Sequence, residues 1–241
     1  MTTRTHRRQS HFNSNSPLPR IALLAVALLA LVLLASGTRM FLGGIASYQA
    51  EAFISSWEKN GKEPDARGWQ IAQGAAQRAV SLYPVASGDY LDRLGRVYSW
   101  QQFQHAYGDP AAAGSRQAAA TAYRASITAR PTWPYTWERL AHTKLFLQEF
   151  DAEFDQALAQ AFQLGPWRIA VNREVADIGL SAWPHLNEPQ REATRESVRR
   201  SVAYSSNESV HMVIVALNTG KVPELCNSLT PELKVARKLC L

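Results

Sequence analysis

The sequence is poor in the residues that build metal and redox sites. Two cysteines occur among 241 residues, and both fall in the last sixteen. The six histidines (His6, His11, His105, His142, His185 and His211) form no HExxH and no paired Cys–His spacing, so a zinc protease or zinc ribbon does not fit. A Walker A loop, GxGxxG and GxSxG are also missing. That removes the usual signatures of P-loop hydrolysis, dinucleotide redox chemistry and serine esterases. No metal, no cofactor and no catalytic residue is expected. Strand signal is nearly absent too: Val213–Ile214–Val215, between Met212 and Ala216, suits a helix as well as a strand.

Basic excess is missing from the middle of the chain. Of the net charge of +6, four charges come from Arg4, Arg7, Arg8 and Arg20, and two from residues 221–241. Residues 21–220 therefore cancel overall, and nothing there tracks a phosphate backbone, so nucleic acid is not an expected partner.

What is present is one long apolar run. Ile21–Ala35 reads IALLAVALLALVLLA, without a polar side-chain atom. Its Ile, Leu and Val residues contribute roughly −3 to −6 kcal/mol toward insertion in a bilayer. Fifteen helical residues reach only about 22 Å against a hydrocarbon core of about 30 Å. Extending the span from Leu18 to Gly37 closes the gap, with Arg20 reaching the headgroups. The expectation is a cytoplasmic basic leader over 1–20, a transmembrane helix over 21–37, and a juxtamembrane helix and linker over 38–67. A cleaved signal peptide is the competing reading, with Ala35–Ser36–Gly37 as the cleavage site. The leader of 20 residues is long for an n-region and favours a retained anchor. Four Arg before the run and one, Arg39, just after it place the N-terminus in the cytoplasm. In a bacterium this means a single pass through the inner membrane, with the C-terminal domain in the periplasm.

Beyond residue 60 the chain alternates Ala- and Leu-rich stretches with Pro and Gly breaks, so an all-α class is expected. Asp109–Pro110, Asn187–Glu188–Pro189–Gln190 and Thr230–Pro231–Glu232 each read as a capping side chain followed by an N-terminal proline. All seven Trp lie between Trp57 and Trp183, which separates a Trp-rich body over 68–187 from a C-terminal helical cap over 188–241. The run EPQREATRESVRR places Glu196 near Arg199 and Arg200 on a solvated helix face.

The helices also repeat. Three sets share one spacing before a proline: Ala72, Ala76, Ala79, Pro84; Ala119, Tyr123, Ser126, Pro131; and Phe154, Leu158, Ala161, Pro166. Two openings match each other: Leu91, Leu94, Gly95, Tyr98, and Trp137, Leu140, Ala141, Lys144. Over about 68–166 this resembles the tetratricopeptide repeat (TPR), in which a small residue lets two helices pack closely and proline ends each unit. It departs from the pattern at an insertion around Tyr107–Ser115, at Leu91 and at Lys144. The resemblance implies a TPR-like helical-hairpin solenoid with a concave face. Carried over position by position, its candidate groove residues are Asp92, Arg96 and Trp100 in one opening helix, and Tyr135, Glu138 and His142 in the next; core packing is the other reading of Trp100 and Tyr135.

A narrower resemblance covers about 131–183. RPTWPYTWERLAHTKLFLQEFDAEFDQALAQAFQLGPW, followed by VADIGLSAW, is similar to the VpsP-type membrane-anchored accessory proteins of bacterial exopolysaccharide gene clusters. It implies a non-catalytic accessory protein whose periplasmic domain binds a protein component of a polysaccharide export or polymerisation system. An enzyme is the alternative. Glu196–Ser197 and Glu208–Ser209, with Ala216–Gly220 downstream, resemble parts of a peptidoglycan-cleaving lytic transglycosylase. The glycine-rich stretch expected after the Glu is missing, and the two motifs stand too close together.

Cys226 and Cys240 are expected to form a structural disulfide, since two cysteines in an exported chain suggest a bridge; two free thiols on a helical tail are the other reading. Closing a loop of this length is worth about 3 kcal/mol. Leu233, Ala236 and Leu239 would give the last helix an apolar stripe too short to hold it alone.

Overall fold

The computed structural model describes residues 17–240, with side chains from Arg20 to Cys240. The leader before Pro17 lies outside the described residues. Every α or 3-10 element among those described is helical: α1 (Pro17–Asn60), α2 (Ala66–Leu82), α3 (Gly88–Trp100), α4 (Pro110–Ala129), α5 (Pro134–Leu147), α6 (Ala152–Leu164), α7 (Ile169–Ser181), α8 (Glu188–Tyr204), α9 (Ser206–Thr219), α10 (Val222–Ser228) and α11 (Pro231–Arg237), with a 3-10 turn at Trp183–His185.

Helix α1 runs unbroken for 44 residues, about 66 Å. Nothing in Ser36–Gly37–Thr38 forces a turn, and the Thr38 hydroxyl bonds back to the Leu34 carbonyl at 2.9 Å. Its first half is apolar on all sides and uncovered: Ile21, Leu24 and Leu34 are 61%, 71% and 69% exposed. This helix is long and apolar enough to cross a membrane. In its second half Ala46, Ala50, Ile54 and Trp57 recur at helical spacing and are buried, the last three in a cluster with Ala72, Ala75, Ala76 and Val97 of α2 and α3.

Side-chain caps set the helix starts. Asp65, Ser87, Asp109 and Asp151 accept from the first turns of α2, α3, α4 and α6. Asn187 and Gln190 form a reciprocal capping box on α8. The donors left over at a helix start explain why these residues fall there.

Each helix from α1 to α9 packs on its successor, and α1 with α3, α5 with α7, α7 with α9 and α6 with α8 add contacts between alternate helices. The core falls into three clusters, one each over α1–α3, α4–α7 and the C-terminal helices. The apolar and hydroxyl members of the three repeated sets, from Ala72 to Ala161, are all buried. At Gly95 an added Cβ would lie 2.4 Å from the Tyr123 ring, and at Gly179 only 2.0 Å from the Thr194 hydroxyl. Both glycines are required by the approach of the facing helix.

Cys226 and Cys240 are disulfide-bonded, with Cα atoms 5.6 Å apart. The bridge ties α11 back to α10. Of the expected stripe, Leu233 and Leu239 are half-buried against the core of Val198, Val202, Met212 and Leu225, while Ala236 is exposed; α11 buries no side chain fully, so the stripe alone does not hold it. Polar bonds do part of that work: Arg237 donates to the Val202 and Ala203 carbonyls at the end of α8, at 2.9 and 2.7 Å. A helix of seven residues offers too little apolar area to dock by burial alone.

Candidate functional site

Helices α3 and α5 wall a cavity of about 420 Å³, closed by α1, α4 and α7. Arg96 and Trp100 enter from α3, and Tyr135, Glu138 and His142 from α5. Phe103, Tyr123 and Phe146 supply more aromatic wall, and Arg116, Arg139 and Glu174 more charge. The packing that brings them together is local: Trp100 meets Phe103 edge-on at 4.5 Å and Trp57 at 6.1 Å between ring centroids, and His142 meets Phe146 at 4.9 Å.

Asp92, grouped with these residues in the sequence, does not line the cavity. It is buried behind the wall, accepting from the Thr136 hydroxyl at 2.8 Å and from Arg139 at 2.6 Å. Its role is to hold Arg139. Burial alone would lower the Arg139 pKa, but Asp92 and Glu138 beside it hold it above its ordinary value.

The other cations are also engaged. Arg96 pairs with Glu51 at 3.0 Å and with Glu58 at 2.7 Å, both on α1. Arg93 joins the same Glu51 at 2.6 Å. Burial works against the charged form of Glu51, but Arg93 and Arg96 prevail and hold its carboxyl below the usual range. Arg116 has no acid within ion-pair distance among the described residues; it donates to the carbonyls of His105, Ala106 and Phe146 at 2.7–2.9 Å. Those bonds tie the α3–α4 loop to the end of α5.

Glu138 is the exception. It is 5% exposed, and its carboxyl has no hydrogen bond to any described residue. The nearest cation is Arg139 Nε at 3.6 Å. Burial pushes its pKa well above the ordinary glutamate value, and Glu174 and Asp92 add to this against Arg139 and Arg96. Without a hydrogen bond, the carboxyl meets the surrounding cations only through this long Arg139 pair and faces the cavity. A nearly buried polar group without a hydrogen bond is uncommon in a packed core.

No protein-family model matches this chain, and no curated protein sequence shows significant similarity to it. The site must be read from its own geometry. Glu196 is held by Arg199 and Arg200, and Glu208 by Arg173 at 2.9 Å. Neither glutamate lines the cavity.

The sequence alone did not mark Arg139, Arg116, Tyr123, Phe146 or Glu174. A signal existed for some of them. Tyr135, Glu138, Arg139, His142 and Phe146 fall at helical spacing on one face of α5, a mixed polar and aromatic stripe on a helix whose other positions are core. The ion partners Glu51 and Glu58 stand seven residues apart on α1, but their mates on α3 are some 40 residues away, beyond any local pattern.

Proposed function

We propose that this chain is a membrane-anchored, non-catalytic binding protein. The first half of α1 spans the bacterial inner membrane, and the periplasmic TPR-like domain grips a partner in the α3–α5 cavity. The partner is a protein component of exopolysaccharide export or polymerisation, the context implied by the similarity over 131–183. Three features support the anchor: the Arg-rich leader, the uncovered apolar half of α1 and its continuity with the folded body. The regular spacing of buried small residues, together with contacts between successive and alternate helices, supports the repeat reading.

One observation carries the binding assignment: the Glu138 carboxyl, nearly buried, without a hydrogen bond and paired only at 3.6 Å with Arg139, opening on an aromatic-walled cavity large enough for one or two side chains of a partner. Interface hot spots are of this kind, with a desolvated polar group ringed by Trp, Tyr and Arg. A photocrosslinking residue at Tyr135 in the intact, membrane-embedded chain tests it. The expected result is an adduct to a polysaccharide-assembly protein that disappears with Glu138→Leu, a change that fills the same space. An adduct that persists with Glu138→Leu, or none at all, would refute this use of the cavity. A reporter fused after Leu241 should be active only outside the cytoplasm.

A further inference from the structure

The end of the helical stack nearest the apolar half of α1 carries the most exposed large apolar residue described, Trp167. Helix α2 runs back along α1, so its C-terminus meets α1 just above the apolar half. Arg39 donates to the Ser81 carbonyl at 3.3 Å, and a Cβ on Gly43 would touch Leu82 and Tyr83. Short loops then alternate the helix directions, returning the chain to this end at 83–87, 130–133 and 165–168. Contacts confirm that these loops adjoin. Asp89 pairs with Arg130 at 2.7 Å, Arg130 lies over the Trp133 ring, and Arg168 lies 5.9 Å from the same ring. Arg200, near the end of α8, reaches the Pro166 carbonyl at 3.3 Å, so Tyr204 one turn further on continues the edge.

This edge carries the side chains that soluble surfaces avoid. Trp167 is 91% exposed, the highest value of any large apolar residue described; Val85 and Tyr204 are each 66% exposed. Between them stand Arg39 and Arg168, exposed and with no acidic partner among the described residues. Indole and phenol rings beside unpaired guanidinium groups are the composition of a membrane interface, where the rings sit at the headgroups and the cations meet lipid phosphate.

The height agrees. If the span ends near Gly37, Gly43 stands about 9 Å further along the helix axis, and Arg39 about 3 Å. The headgroup layer is roughly 5–7 Å deep on each side. The end of α2, Ser81–Tyr83, which touches both residues, therefore spans from within the headgroup layer to just above it, and the loop that follows lies at its outer surface.

We infer that this edge, with Trp167, Val85, Tyr204, Arg39 and Arg168 outermost, rests on the phosphate layer of the bilayer that α1 crosses, so that the folded domain lies against the membrane and is not held away on a stalk. The inference rests on the anchor reading of α1, and its test separates the two. Both native cysteines are bridged, so a cysteine introduced at Thr132 or at Lys62 is the one free thiol in the described chain. Lys62, in the α1–α2 turn, lies at the opposite end. The full chain, labelled at either site with an environment-sensitive fluorophore, is placed in phosphatidylcholine–phosphatidylglycerol vesicles that contain a headgroup-proximal spin-labelled lipid. Quenching should be about twofold stronger or more at 132 than at 62. The double change Trp167→Ser, Arg168→Ser should bring the two positions together; both side chains are exposed, so the fold is spared. Equal quenching in protein that stays with the vesicles through a carbonate wash would overturn the docking and leave the anchor standing. Protein stripped off by the wash would overturn the anchor and the docking with it.

Discussion

Helix α5 buries charge at two places, and they are built in opposite ways. Lys144, toward its C-terminal end, is 1% exposed. Its ammonium donates to Glu149, Asp151 and Glu153 at 3.1, 2.9 and 3.0 Å. Burial alone would lower its pKa, but these bonds hold it above the ordinary lysine value. Glu153 is shared with Arg124 at 2.6 Å, so the cluster closes on itself. Two turns earlier Glu138 is nearly as buried, yet its carboxyl makes no hydrogen bond and faces a cavity. The first arrangement uses every donor and leaves no space, so it joins α4, α5 and α6. The second leaves one polar group and a volume unfilled. Buried charge by itself does not mark a site; buried charge with an unused hydrogen bond and room beside it does.

The largest effect should come from the closed cluster. Lys144→Ala removes a cation from three carboxylates, two of them about one-third exposed and Asp151 more so. Solvent screens part of the loss, so a cost of about 2–3 kcal/mol is expected, or a fall in Tm of roughly 5–10 °C. Crosslinking from Tyr135 should survive where the protein remains folded. If Lys144→Ala instead abolished the adduct without lowering Tm, the division between structure and site would be wrong.

Gly95→Ala probes the wall facing Glu138. The new methyl would strike Tyr123, which lines the cavity, so about 1–3 kcal/mol of overpacking is expected, together with weaker crosslinking as the ring is pushed inward. Unchanged thermal stability would mean that α3 and α4 do not approach as closely as this packing requires.

Glu138→Gln should be the mildest change, within about 1 kcal/mol, because the amide keeps the shape of the side chain and gives up only the 3.6 Å Arg139 pair. Its signature is the pH profile. Asp177, hydrogen-bonded to His211 at 2.7 Å, is pushed up to about 7, chiefly by burial and then by Glu174; Glu138 is raised in the same direction. A raised carboxyl binds its proton more tightly in the folded state than in the unfolded one. Its stabilisation is complete below about pH 4, the range of unperturbed carboxylates, and is lost as pH rises through its folded value. Acids held low by partners, such as Glu51 and Glu153, act in the opposite sense and in a lower window. Denaturation between pH 5 and 8 should therefore show stability falling with pH, and Glu138→Gln with Asp177→Asn should flatten that slope. A slope unchanged by the two substitutions would show that neither group is protonated in the fold.

Much of this architecture is written locally. Asp109, Asn187 and Thr230 cap the helices they precede, because a cap depends on a few neighbouring residues. The apolar run at 21–35 and the buried small positions from Ala72 to Ala161 follow from periodicity. The two cysteines pair across 14 residues, and α11 lies within that span. Of the residues grouped from repeat positions, Arg96, Trp100, Tyr135, Glu138 and His142 come to line one cavity. Asp92 shares their helix register but turns into the core, because Thr136 and Arg139 of α5 bind its two carboxylate oxygens.

The sequence by itself determined that the chain is helical, where three of the helices start, which end of the chain carries the long apolar span, and which small residues let helices approach. These are properties of neighbours along the chain, set by hydrogen-bonding and steric needs within a few residues. Tertiary structure alone decided which charges are spent and which is left over. Arg96 finds Glu58 on α1, and Arg139 finds Asp92 on α3, across separations of 38 and 47 residues. Glu138 finds no hydrogen bond and only its own neighbour Arg139, at 3.6 Å. The fate of a buried charge is fixed by what faces it across the packed interface, and no local pattern encodes that.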